Sequence, residues 1–286
     1  MEKRTIGDRE VSAIGLGGMP MSIEGRPDRE RSIATIHAAL DSGVTFIDTA
    51  DAYHLHADEV GHNETLIAEA LGSYSGSTDD VLIATKGGHL RPGDGSWVTD
   101  GRPDYLLGAA RESAKRLGVD AIGLYQLHRP DPSVPYAESV GALATLLDDG
   151  VIALAGISNA DTDQIRVARD VLGGRLASVQ NQYSPTFRSS QEELELCDGL
   201  GIAFLPWSPL GGIGKAGDLG SRLHAFADVA EELGVSPQQV ALAWELAQSP
   251  HVLPIPGSSR PETITDSVRA VEVELSDDQR GRLDAA

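Results

Sequence analysis

Gly43-Val44-Thr45-Phe46-Ile47-Asp48-Thr49-Ala50-Asp51-Ala52-Tyr53 is the stretch on which the reading of this chain turns. Its first half is β-branched and aromatic, the composition of a short buried strand. On a period of two, Val44, Phe46 and Asp48 share a face, so an otherwise apolar face ends in a carboxylate. In a parallel barrel that position faces the mouth, where active sites sit. Taken alone, Asp48 reads equally as a helix cap or half of an ion pair, and Tyr53 as a surface phenol.

Working outward, short apolar runs that close on a polar residue alternate with amphipathic helical stretches. Helices are expected over residues 31–42, 63–71, 105–117, 136–147, 162–172 and 191–200, with a pair over 221–233 and 237–247 and a last helix over 262–271 closing the chain. Strands are expected over 44–49, 81–86, 122–128, 152–158, 177–182, 202–207 and 252–256, preceded by a short one at 13–18. Continuous β-α alternation implies parallel strands, and about eight units is the number a (β/α)8 TIM barrel needs. An open doubly wound sheet is the alternative. Residues 3–12 read as a short N-terminal β-hairpin around Gly7-Asp8. The glycines of Gly15-Leu16-Gly17-Gly18 do not make a dinucleotide fingerprint, because Met19-Pro20-Met21 stands where a third glycine should open a helix.

The 286 residues carry no linker, charge block or low-complexity segment, so one domain over 1–286 is expected. A formal charge of −20 opposes nucleic acid and anionic membrane surfaces as partners. The single cysteine, Cys197, lies in a helical pattern and reads as buried filler in a reducing compartment. With no apolar leader and no run long enough to span a bilayer, a soluble, cytoplasmic protein is expected. Residues 87–103 form a long irregular insert, of a length more often functional than idle. In His54-Leu55-His56-Ala57-Asp58 the spacing lacks a third fixed metal ligand, so a solvated loop is the better reading.

The strand ends deliver Asp48, Lys86, His128, Ser158, Gln180 and Trp207 to one rim. Lys86 beside Asp48 could be a structural ion pair or a Schiff-base nucleophile of the aldolase type. A third use involves Tyr53: an adjacent ammonium should bring its phenol below the ordinary value of about 10 and make it an acid-base. Asp48 would hold Lys86 charged, and His128 would bond or relay a proton to the same oxygen. Such a phenol can protonate a carbonyl oxygen.

These residues stand in Phe46-Ile47-Asp48-Thr49-Ala50-Asp51-Ala52-Tyr53, Ala84-Thr85-Lys86-Gly87-Gly88, Leu124-Tyr125-Gln126-Leu127-His128, Gly156-Ile157-Ser158-Asn159 and Ile255-Pro256-Gly257-Ser258. In them the chain resembles the aldo-keto reductases from Ile14 to its end. The resemblance implies NAD(P)H-dependent reduction of a small aldehyde or ketone to an alcohol. Asp48, Tyr53, Lys86 and His128 match the catalytic tetrad, with Tyr53 the general acid. Ser158, Asn159 and Gln180 match the groups that bond the nicotinamide carboxamide, and Trp207 matches the ring that stacks on it. Gly18 and Met19 match the strand-end cofactor contact. Beside the resemblance, Ser208, Pro209, Leu210 and Gly211 stand in a turn rich in small residues whose amides could meet a pyrophosphate. Gly257, Ser258, Ser259, Arg260 and Thr263 match the segment that holds the adenosine 2′-phosphate, and Asp266 an acid that contacts adenine. Arg260 favours NADPH by charge. Many members carry further cations where Gly257 and Thr263 stand, so NADH also remains open.

Two rivals stand beside this reading: a catalytically slow nucleotide-binding redox sensor or regulatory subunit on the same barrel, and the Schiff-base aldolase. Substrate choice should come from the loops 19–28, 54–61 and 87–103 and the segment after Trp207. Apart from Arg26, Arg91 and Arg102 they hold few cations, so a strongly anionic substrate is not favoured.

Overall fold

The structure, a computed structural model, describes residues 2–212 and 214–286. It opens with β1 (Lys3–Ile6) and β2 (Arg9–Ser12), the expected hairpin, paired antiparallel from Lys3–Ser12 to Ile6–Arg9. Then come β3 (Leu16–Gly17), α1 (Arg29–Asp41), β4 (Phe46–Asp48), α2 (His62–Ser73), β5 (Leu82–Gly87), β6 (His89–Leu90), β7 (Val98–Thr99), α3 (Pro103–Leu117), β8 (Ile122–Leu127) and α4 (Tyr136–Asp148). The second half holds β9 (Ile152–Ser158), α5 (Thr162–Val171), β10 (Leu176–Gln180), α6 (Gln191–Leu200), β11 (Ala203–Phe204), α7 (Leu219–Arg222), α8 (His224–Leu233), α9 (Pro237–Leu246), α10 (Pro261–Val268) and α11 (Asp277–Asp284). Local chemistry sets the helix ends. Asp28, Asp161 and Ser236 accept first-turn amides of α1, α5 and α9, and Gly118, Gly201 and Gly234 follow α3, α6 and α8 in the left-handed region.

Seven strands form one parallel sheet in the order β11-β10-β9-β8-β5-β4-β3, the curled core of a TIM-barrel fold. The expected eighth strand is not a regular one. Residues 252–257 span the seam through isolated parallel bridges, Phe204 to Val252 on one side and Gly17 to Gly257 on the other. Prolines explain the difference. Leu253 and Ile255 donate to the carbonyls of Phe204 and Pro206, and Pro254 and Pro256 accept from Gly15 and Gly17 but have no N–H to return.

Three apolar clusters hold the layers. One lies inside the sheet, where Ile6 and Val11 of the hairpin pack with Phe46, Leu82, Ala84, Leu124, Ala203 and Leu253 and plug the N-terminal end. Backbones approach closely there: a Cβ on Gly15 would lie 2.6 Å from Phe46 Cδ1. The others seat helices on the outer face, α1, α2 and α10 on one flank and α3 to α9 on the rest. Cys197 is buried in α6, and burial pushes its thiol up to about 12.

Two further expectations change. Residues 87–103 are not irregular throughout, since β6 and β7 pair antiparallel, His89 with Thr99 and Leu90 with Val98. The chain does not end on α10; α11 follows, started by Ser276 and Gln279 in a reciprocal capping box. No helix among the described residues is long and apolar enough to cross a membrane.

Candidate active site

Parallel register brings the strand-end side chains together. Asp48 ends β4 opposite Ala84, Lys86 of β5 lies opposite Gln126, and Ser158 and Gln180 end β9 and β10 opposite each other. His128 follows β8 and is pinned by its amide, which donates to the Gly87 carbonyl at 2.9 Å. Lys86 is fully buried and donates to Asp48 Oδ1 at 2.6 Å, the Thr49 carbonyl at 2.8 Å and Tyr53 Oη at 3.4 Å. The other Asp48 oxygen accepts from Gln180 Nε2 at 2.8 Å and Gln126 Nε2 at 3.5 Å. The His128 ring stands edge-on to Tyr53, with centroids 5.7 Å apart.

The electrostatics divide the roles. Burial alone would lower the Lys86 value, but Asp48 and Tyr53 reverse this and raise it, so Lys86 is an ammonium. A Schiff-base nucleophile needs the neutral amine, which tells against the aldolase alternative. For Tyr53 the expected downward shift is corrected. Burial raises the phenol, Lys86 offsets only part of this, and Asp48 adds to the rise, so the net direction is upward. Tyr53 is therefore a protonated phenol with a cation in place for the anion it would leave. Burial, then Lys86, His89 and Arg129, hold His128 well below the usual histidine range and keep it neutral. Its Nδ1 is buried without a partner.

The other expected site residues lie after β3 and β9, in the turn after β11, and before and within α10. Asn159, at φ 57°, donates from Nδ2 to the His128 carbonyl at 3.0 Å and to Ser158 Oγ at 2.9 Å. Trp207 is half-buried at the rim with Nε1 unpartnered. Ser208, at φ 54°, starts a turn closed by the Gly211 amide on its carbonyl, with Pro209 and Leu210 buried beneath. The Gly18 amide donates to the Asp48 carbonyl at 2.8 Å, and Met19 begins a single 3-10 turn. Gly257 is exposed next to Gly17. Ser258 Oγ bonds the Arg260 carbonyl at 2.9 Å and pairs with Thr263 Oγ1, with half-buried Ser259 between. Exposed Arg260 precedes α10, whose first turn has no side-chain cap, an arrangement suited to an anion. Asp266 and Gln180 already have local partners. Asp266 accepts from Ser236 Oγ at 2.7 Å and Gln239 Nε2 at 2.6 Å, and the Gln180 amide nitrogen is held by Asp48.

Sequence reasoning missed several neighbours. Gln126 does sit on the inward face of β8 with His128, as the strand period places it, but its bond to Asp48 was not foreseen. His89 packs edge-on to His128 at 5.0 Å and stacks on Trp97 at 4.7 Å, a contact made by the unforeseen hairpin. His54 is not solvated, unlike His56, Ala57 and Asp58, which are exposed as expected of that loop. It is buried, its Nδ1 lies 2.7 Å from the His56 carbonyl, and Arg91 donates to its own carbonyl at 2.6 Å.

The Aldo/keto reductase family model matches residues 13–286, and the chain belongs to that family. An uncharacterized oxidoreductase of Schizosaccharomyces pombe is 37% identical over 98% of this chain and 88% of its own length. Pyridoxine 4-dehydrogenase of Escherichia coli is 33% identical over 98% of this chain and 96% of its own. Among solved structures, a Klebsiella pneumoniae aldo-keto reductase in complex with NADPH superposes with TM-score 0.82 at 27% identity, over 100% of this chain and 95% of that one.

Proposed function

We propose that the protein reduces an aldehyde or ketone to an alcohol with NADPH, that NADH can substitute, and that Tyr53 donates the proton. One observation carries this: the Lys86 ammonium bridges the Asp48 carboxylate at 2.6 Å and the Tyr53 hydroxyl at 3.4 Å. The residues present suit the cofactor. The unpartnered Trp207 indole, the Ser158-Asn159 pair and the Gln180 amide oxygen offer a ring face and hydrogen-bonding groups. The Ser208 to Gly211 turn and the Gly257 to Arg260 segment offer backbone amides and one cation. When bound, the dihydronicotinamide supplies the hydride. Tyr53 gives its proton to the substrate oxygen, Lys86 stabilises the resulting phenolate, and Asp48 with Gln126 and Gln180 keeps Lys86 in place. Neutral His128 offers a hydrogen bond to the same oxygen without competing as an acid. The NADPH complex of the Klebsiella relative supports the cofactor assignment.

The purified protein is expected to oxidise NADPH when given 4-nitrobenzaldehyde. Tyr53→Phe should cut turnover by about a thousandfold or more while NADPH still quenches tryptophan fluorescence. Unchanged turnover in Tyr53→Phe would remove the phenol from its role.

A further inference from the structure

The three loop cations that sequence reasoning counted are all occupied. Arg26 forks onto Glu59 at 3.1 and 2.8 Å, Arg102 forks onto Asp100 at 2.9 and 2.7 Å, and Arg91 is held by the His54 carbonyl and Glu24. Arg129, which that count passed over, differs. It follows His128 directly at the end of β8, is half-buried, and among the described residues makes no hydrogen bond or ion pair. Its charge acts on the mouth: it eases ionisation of Tyr53 and helps hold His89 and His128 neutral.

A half-buried guanidinium with no counter-charge loses hydration without compensation until an anion arrives. The aromatic groups beside His128 are His89 and Trp97, and the Trp97 ring also carries the Arg91 guanidinium, 5.1 Å from its centroid. His89, held down to about 4 by burial and Arg129, stacks on Trp97, whose indole is 39% exposed. Lys86, the cation of the tetrad, is committed to Asp48. Cofactor phosphates do not explain Arg129. The segments suited to them follow β11 and the seam, and β8 lies three strands from β11 in the sheet. A single cation with a planar fork matches a carboxylate better than a phosphate dianion.

We propose that Arg129 binds a carboxylate on the carbonyl substrate, so that this site prefers aldehydes or ketones bearing an acid group over their neutral counterparts. The proposal rests on the reductase reading above and names its substrate class. The test compares kcat/KM, with NADPH, for 3- and 4-carboxybenzaldehyde against the corresponding formylbenzamides, in the wild type, Arg129→Gln and Arg129→Lys. In the wild type at least one acid should exceed its amide. The acid-to-amide ratio should fall roughly 10- to 100-fold in Arg129→Gln and recover in part in Arg129→Lys, the range for losing a charge-assisted hydrogen-bonded pair. A wild-type ratio at or below one for both isomers overturns the proposal, as does equal loss on acid and amide in Arg129→Gln. Reduction of the amides alone refutes the carboxylate site and leaves the reductase standing. No reduction of any aldehyde refutes both.

Discussion

The two ends of the sheet interior are built from the same strands two residues apart, and they are held by opposite means. At the N-terminal end Phe46, Leu82, Ala84 and Leu124 close on Ile6 and Val11 in a dry plug. One step up the inward face stand Asp48, Lys86 and Gln126, an ionic layer with no water-exposed charge. A plug tolerates any well-packed apolar shape. The layer above it stands only as a set, because each member is the reason another can be buried charged.

The difference can be broken first at its strongest point. Lys86→Met should abolish reduction, by about a thousandfold or more, and cost about 3–5 kcal/mol in denaturant unfolding by leaving Asp48 buried and unpaired. Adding Asp48→Asn should return most of the stability and none of the activity; a double variant no more stable than the single would show that packing, not charge, holds this layer. At the other end Ile6→Ala should cost about 2–5 kcal/mol while kcat for 4-nitrobenzaldehyde stays within about twofold. A large fall in kcat would mean that the plug sets the site. The smallest effect is in the pH profile. Reduction requires the protonated phenol, so kcat should be lost as pH rises through the raised Tyr53 value, above 10. No acid-side limb near 6.5 should appear, since His128 titrates far below that. A limb there would assign His128 a proton-carrying role.

Much of this was legible because strand alternation and barrel geometry are local rules applied many times. The inward positions of Asp48, Lys86 and His128 follow from a period of two, and the meeting of the strand ends follows from parallel register. What was illegible depends on summed environment. Whether burial or Lys86 dominates at Tyr53 is a balance of two opposed effects, and sequence shows only that the lysine is near. The β6–β7 hairpin is two residues a side, too short to reveal alternation. The helix α11, Asp-Asp-Gln-Arg-Gly-Arg-Leu-Asp, has almost no apolar face, although Ser276 and Gln279 at capping-box spacing were a usable signal. Arg129 was overlooked because the cation count covered the loops at 19–28, 54–61 and 87–103 and the segment after Trp207, and not the turn after His128; nor could such a count tell which cations already have partners.

The seam has a consequence for how the molecule is made. Residues 15–17 complete their bonding only with residues 254–257, so the two sides of the ring meet across nearly the whole polypeptide. Such a closure has a high loop entropy and comes late in folding. During synthesis β3 must wait, one side unsatisfied, until the last strand-like segment leaves the ribosome, which makes that rim the place where a chaperone or a wrong partner would first take hold.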